Sequence, residues 1–441
     1  MKIGKYTIIT LLLLIQSLSF AQDSTLNRIK QKFNALLKEQ NKGIAVLVKK
    51  NEEIKTISLG NFDLHENNVF NIGSATKTFT AVLLLQEVEK GNLTLTDTIG
   101  KYVKPIQNVD ASLTIKQLLT HESGLDEVIG KNIYTIFYAK KDSLYNENLL
   151  NLVKKNTPDM VGKFDYCNTN YFLLGRILEK ITDKSYFDLV RERIIEPLQM
   201  KHSYPYVHKN LPNLAPPYHK EKDVTEYLDY KFYANIAYSA GSIASTLSDM
   251  AVFYNALFET EKLLKKETVT LMMESGNEIY GLGLFKSEYK GIPYVSHGGN
   301  NVGYAFRNAY IPETNNLFLL FTNSHRIPFE KSLKNDLFAY LNNENIEDFK
   351  AINIADFKEI PGKYVLKEAN LTFEIKREKN KLFLIVEAQG IKSELMQKDK
   401  NTLYDTAVGA TLTKIEDNSS GLTFSQNGFT TIIHKISSKN Q

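Results

Sequence analysis

Ser74-Ala75-Thr76-Lys77 sets a primary hydroxyl and a primary amine three residues apart, a spacing that brings both side chains to one face of a helix. Serine is a poor nucleophile at neutral pH because its alkoxide is inaccessible, and a lysine stripped of solvent can lower that barrier by taking the proton. A helix start adds partial positive charge and free N–H groups where an oxyanion would develop. The same pattern recurs at Ser287-Glu288-Tyr289-Lys290 in strand-like surroundings, so spacing alone does not single out a site. An N-cap serine followed by a solvated lysine is the plain alternative, and only its company distinguishes Ser74.

The elements that must hold this pair can be followed along the chain. Leu26 to Gln40 has helical spacing of Ile29, Phe33, Leu36 and Leu37, and β-branched runs at 43–48 and 54–59 about the polar stretch 49–53 predict a hairpin. A helix is expected from Ser74 to Lys90, with a broad apolar face and Gly91 as its terminating glycine. Helical stretches at 113–119, 170–182, 186–195 and 248–258 make the middle of the chain mostly helical. Strands are expected at 280–285, 294–296, 304–311 and 317–322.

Composition changes at residues 342–357, where Asn342-Asn343-Glu344-Asn345 and an acidic, polar run have the character of a linker. Short strands at 362–365, 371–375, 382–386, 411–415 and 430–436 then predict a small all-β domain, 358–441, closing into a barrel.

The 441 residues are 43% hydrophobic and 24% charged, with a net charge of +4, values of an ordinary globular protein with no strong field for nucleic acid. Met1 to Lys5 carries two lysines ahead of an apolar run, and Ser19-Phe20-Ala21 follows. This pattern predicts a signal peptide over 1–21 and a mature protein in the periplasm or outside the cell, without a transmembrane anchor. Cys167 is the single cysteine, so no internal disulfide is expected. The eight histidines show no metal-binding spacing, and neither a metal nor an organic cofactor is expected. A Ser-His-Asp hydrolase would need a G-x-S-x-G elbow, which the sequence lacks.

The segment Phe70 to Ala81, containing Ser74 and Lys77, together with Tyr166-Cys167-Asn168 and His297-Gly298-Gly299, resembles the penicillin-recognising serine hydrolases in motif order and spacing. That superfamily includes class C β-lactamases, DD-peptidases, D-aminopeptidases and related esterases. Further matches are Leu113 to Leu125, Ile195 to Met200, Ala240 to Thr246 and Tyr280-Gly281-Leu282-Gly283, so the likeness spans about residues 25 to 340. It implies an α+β catalytic domain over 22–341, with an antiparallel sheet flanked by helices beside a helical lobe. The tail resembles lipocalin-like domains appended to some members.

The resemblance also implies roles. Ser74 is the acylated nucleophile; Lys77 and Tyr166 share the proton, either one being the base. Asn168, His297, Gly298 and Gly299 bind substrate, and the backbone N–H groups of Ser74 and Asn300 form the oxyanion hole. The implied reaction is acyl-enzyme hydrolysis of an amide in a small-molecule or peptide substrate, foremost a D-amino-acid-containing, cell-wall-related one. Esterase or weak β-lactamase activity at the same site is the first alternative, and a penicillin-binding or sensing module without turnover is the second. His297 stands where many β-lactamases have a lysine to hold a carboxylate, which argues against strong β-lactamase activity. Cys167 is expected to pack rather than react, and His121, in the segment before Ser123-Gly124, is expected to be structural.

Overall fold

A computed structural model of the chain describes residues 24–436 apart from 38–41, 129, 131–149, 151–152, 154–156, 220, 230–231, 328, 347, 390, 416–417 and 427–428. The predicted leader at 1–21 lies outside the described residues. Contacts divide the chain into two units, 36–327 and a second made of 1–35 with 328–441.

In the first unit Gly43–Lys50 (β1) is buried along its whole length, as a strand covered on both faces must be. It pairs antiparallel with Glu53–Gly60 (β2) on one side and, on the other, with Asn316–Thr322 (β7). The sheet continues through Tyr304–Ile311 (β6), Ile292–Ser296 (β4) and Phe285–Tyr289 (β3), in the order β2-β1-β7-β6-β4-β3, with the short strand Gly299–Asn301 (β5) also paired to β6. This is the antiparallel sheet that the sequence resemblance implies.

Thr76–Glu89 (α1) is buried at nearly every position. A helix apolar on all sides sits inside a core rather than over one, and here Phe79 stacks on Phe253 with ring centroids 3.8 Å apart. Gly91 ends it as expected, with φ +75° and its N–H on the carbonyl of Val88. Asn168–Thr182 (α2) and Leu247–Phe258 (α3) are the other long helices of this unit.

Two expectations shift. The helix does not begin at Ser74: the serine lies in a 3₁₀ turn, Gly73–Ala75, that leads into α1. The strand expected at 280–285 begins only at Phe285, because 281–284 turns toward α1, where the carbonyl of Gly283 accepts the hydroxyl of Thr78 at 3.0 Å.

In the second unit the 24–37 helix faces Glu330–Leu341 (α4): Lys32 Nζ meets Asp336 at 2.7 Å, and the rings of Phe33 and Phe329 lie 6.5 Å apart. The N–H groups of Lys331 and Ser332 bond the carbonyls of Ala407 and Thr406 in the tail, and the division by contacts falls at 327/328. The tail is a closed eight-stranded barrel, its first strand Gly362–Leu366 returning to its last, Phe429–Lys435, through Tyr364 opposite Lys435. Leu382, Leu384 and Val386 alternate inward to meet Phe373, Ile375, Leu395, Leu403 and Leu412, which fills the interior as barrels of this size require. Three strands were not anticipated: Ile391–Gln397, Thr402–Asp405 and Asn418–Gln426.

Candidate active site

Among residues 69–85 every one is buried except Ser74. The 3₁₀ turn holds it there, and the N-cap position of α1 is Ala75, with no side-chain cap bond, so the hydroxyl of Ser74 is not consumed in capping the helix. The next turn places Lys77, fully buried, with Nζ 3.1 Å from Ser74 Oγ. Two further bonds of Nζ go to Asn168 Oδ1 and the carbonyl of Ala240, each at 2.7 Å. Burial lowers the lysine pKa to about 7, with Glu127 pulling weakly the other way.

Tyr166 comes from the extended segment before α2 and Asn168 from the first residue of α2. The Lys77 nitrogen lies 5.1 Å from the Tyr166 ring centroid. Burial holds the Tyr166 phenol above its ordinary pKa, and a hydrogen bond with Ser74 opposes that shift. Glu127 fixes the start of α2 by accepting the N–H of Asn168 on one oxygen and that of Gly130 on the other. The Asn168 oxygen is taken by Lys77, which turns its amide nitrogen elsewhere as a donor.

The β5 backbone approaches the serine turn more closely than any side chain would allow. A Cβ on Gly299 would stand 2.0 Å from the carbonyl of Ile72 and 2.6 Å from the nitrogen of Ser74, and one on Gly73 would stand 3.0 Å from the nitrogen of Asn300. The backbone nitrogens of Ser74 and Asn300 are thereby brought to one edge of the site.

His297 lies between β4 and β5, wholly buried. Its Nδ1 lies 2.8 Å from the carbonyl of Gly298, which can only accept, so Nδ1 carries the proton; Nε2, 2.8 Å from the Tyr280 hydroxyl, accepts from it. Burial, reinforced by Lys77, pushes its pKa down to about 3. Both ring nitrogens are thus engaged within the protein, and the imidazole is neutral.

Tyr280 was quoted in the sequence only as part of a Tyr-Gly-Leu-Gly run, yet it joins His297 to a cluster containing His121, Phe164, Tyr166 and Phe285. His121, with φ +57°, accepts the N–H of Cys167 on Nδ1 and lies with its ring 4.2 Å from that of Tyr166. It supports the Tyr166 segment from beneath. The Cys167 thiol, pushed up to about 12 chiefly by burial, points at the carbonyl of Asp126. Ala240 stands in the sequence as the start of the matching segment 240–246, without a sign that its carbonyl would hold Lys77, and Glu127 carries no signal.

A serine oxygen, a near-neutral amine, a phenol and two backbone donors can together carry out acyl transfer. A family model described as Beta-lactamase matches residues 29–339. A protein of Bacillus subtilis (strain 168) described as a penicillin-binding protein, PbpX, is 27% identical over 334 residues, covering 73% of this chain and 81% of that one. A solved D-stereospecific amidohydrolase from Streptomyces sp. is 26% identical with TM-score 0.59, covering 67% of this chain and 94% of its own. The octameric penicillin-binding protein homologue from Pyrococcus abyssi, 22% identical with TM-score 0.64, covers 95% of this chain and 98% of its own, a likeness of fold.

Proposed function

This chain belongs to the beta-lactamase family and is a serine hydrolase, and from that premise we propose that Ser74 is acylated by an amide of a D-amino-acid-containing, cell-wall-related peptide, outside the cytoplasm. The observation that carries the reading is the three-way coordination of Lys77 Nζ by Ser74 Oγ, Asn168 Oδ1 and the Ala240 carbonyl. Lys77 takes the serine proton as Oγ bonds to the substrate carbonyl carbon, and the carbonyl oxygen becomes an oxyanion against the N–H groups of Ser74 and Asn300. Tyr166 gives its proton to the leaving amine as the C–N bond breaks. Water then attacks the ester at Ser74, giving a proton to the Tyr166 phenolate while the Lys77 ammonium returns one to Ser74 Oγ as the acyl bond breaks, which restores the enzyme. Asn168 offers its amide nitrogen to the substrate.

His297 enters as a support for β5: its nitrogens are occupied, so it holds the strand through Gly298 rather than binding substrate through the ring. A neutral imidazole supplies no cation for a β-lactam carboxylate, which supports weak rather than strong β-lactam turnover. Export rests on the leader at 1–21; among the described residues no helix is long and apolar enough to cross a membrane.

The test is to profile D-Ala-D-Ala peptides, nitrophenyl esters and a chromogenic cephalosporin with the mature protein and Ser74→Ala, alongside mass analysis after a fluorophosphonate and after a penicillin. Peptide turnover and an adduct, both lost in Ser74→Ala, are expected. Ester turnover without peptide cleavage would replace the amide by an ester, and a penicillin adduct without turnover would replace the enzyme by a sensor.

A further inference from the structure

The two adjacent glycines after His297 face different neighbours. A Cβ on Gly299 would strike the Ser74 turn, whereas a Cβ on Gly298 would stand 2.9 Å from both the Arg307 Cδ and the carbonyl of Phe306. Gly298 therefore leaves a seat for the aliphatic stem of Arg307, which reaches across from β6. The guanidinium ends at β5: the two N–H groups of Nη1 are shared among Asn300 Oδ1 at 2.7 Å, the carbonyl of Phe306 at 2.7 Å and the carbonyl of Gly299 at 3.2 Å. β5 is only three residues long, pairs with β6 alone, and exposes Asn300. Besides that pairing and its contact with the serine turn, β5 is tied by the Arg307 guanidinium.

We propose that Arg307 is a positioning residue for the oxyanion hole, holding Asn300 by its side chain so that the Asn300 N–H keeps its aim at the developing oxyanion. The inference rests on the reading of Ser74 and Asn300 as oxyanion donors. A charge-assisted bond to the side chain of the donor residue and a second to the preceding carbonyl fix the peptide plane between Gly299 and Asn300. The Asn300 N–H belongs to that plane. Loss of the clamp lets it rotate, and small misplacements of a catalytic donor are costly.

Arg307→Met keeps the stem over Gly298 and removes the donors. It is expected to lower kcat on a nitrophenyl ester by about tenfold with KM unchanged, less than the 10²–10³ that removal of a donor costs. The affinity for a simple alkyl or aryl boronic acid without a carboxylate, which forms a tetrahedral anion on Ser74, is expected to fall by a similar factor. Asn300→Ala should reproduce most of that loss, and the double variant should be no worse than Arg307→Met alone, because both cut one link. Arg307→Lys should recover part of the activity, and Asn300→Ala with Arg307→Lys carries the test if Arg307→Met does not fold. Unchanged kcat and boronate affinity, or losses that multiply in the double variant, would overturn the proposal. A rise in KM confined to substrates bearing a carboxylate would also overturn it, making Arg307 a substrate-binding residue. If the wild type itself gives no Ser74 adduct, the acyl-enzyme reading has failed. If it gives one and Arg307→Met matches it in rate, only the clamp has failed.

Discussion

Lys77 Nζ stands 3.1 Å from Ser74 Oγ while two carbonyl oxygens, those of Asn168 and Ala240, each take a bond from it at 2.7 Å. Carbonyl oxygens only accept, so a neutral amine spends both N–H groups on them and turns its lone pair to the serine proton. An ammonium uses the same three directions, its third N–H then pointing at the serine oxygen. Proton transfer therefore requires no movement of the side chain, which is what electrostatic preorganisation demands of a base.

The first prediction concerns pH. With the lysine pKa lowered to about 7 by burial, acylation should rise tenfold per pH unit below 7 and level off above it, since only the neutral amine accepts the proton. A histidine could give a similar limb, but His297 is pushed down to about 3 and His121 well below its ordinary value, both chiefly by burial. The limb should accordingly persist in His297→Asn and His121→Asn, whatever their rates. Its disappearance in either would transfer the titration to that imidazole.

The same burial has a cost in stability. A lysine protonated at 10.5 when unfolded but at about 7 when folded binds its proton more weakly in the native state, so stability rises with pH between those values. Below about 7 the penalty is at its full size, about 4–5 kcal/mol from the difference in proton affinity. Lys77→Met removes that penalty but strands two carbonyl acceptors, at about 1–3 kcal/mol each. The two terms are of similar size, so the variant should be inactive and of comparable stability at pH 6, and it should lose ground to wild type as the pH rises toward 9. Thermal melts across that range check this, and a wild type whose Tm fails to rise with pH relative to Lys77→Met would contradict it.

Side chains carried by short local patterns are visible in the sequence, while the backbone donors of Ser74 and Asn300 enter only through the family resemblance and the role of the Ala240 carbonyl does not enter. Ser74 and Lys77 share one turn, a spacing that brings hydroxyl and amine together, whereas Tyr166 and Asn168, beside one helix start, stand out only through the resemblance of their motif to the family's. The Ala240 carbonyl and the donors near Gly299 belong to the backbone, which any residue supplies. Arg307 gives no signal because it reaches β5 from the neighbouring strand. In the barrel, Ile391–Gln397 and Thr402–Asp405 escaped because their buried faces carry Ser393 and Asp405, which hydrogen-bond each other. Two polar residues facing inward break the alternation by which a strand is recognised.

Tyr166→Phe separates the phenol from the ring. The ring stacks near Phe285, with centroids 6.0 Å apart and planes 14° from parallel, and lies against His121 at 4.2 Å; phenylalanine keeps both contacts, so stability should change by less than about 1.5 kcal/mol, the scale of one hydrogen bond. A proton donor matters most for a poor leaving group. Hydrolysis of a D-amino-acid amide should fall by roughly 10²–10⁴, while a nitrophenyl ester, which departs without protonation, should lose far less. Equal losses on the two substrates would make Tyr166 the base for the serine instead.

Gly299→Ala tests the closest approach in the site. Its Cβ would lie 2.0 Å from the Ile72 carbonyl and 2.6 Å from the Ser74 nitrogen, both backbone atoms that cannot swing aside as a side chain could. The strand must therefore withdraw from the serine turn, which widens the gap between the Ser74 and Asn300 N–H groups. Overpacking of this kind costs about 1–3 kcal/mol, and losing one oxyanion donor costs roughly 10²–10³ in kcat. The variant should fold with a lowered Tm, retain Lys77 and Tyr166 in place, and acylate slowly even with a nitrophenyl ester. Because the nucleophile and base are untouched, a fluorophosphonate should still label Ser74, at a reduced rate. Ester turnover within a factor of a few of wild type would mean that β5 can yield without cost, and that the Asn300 N–H is not a donor in the reaction.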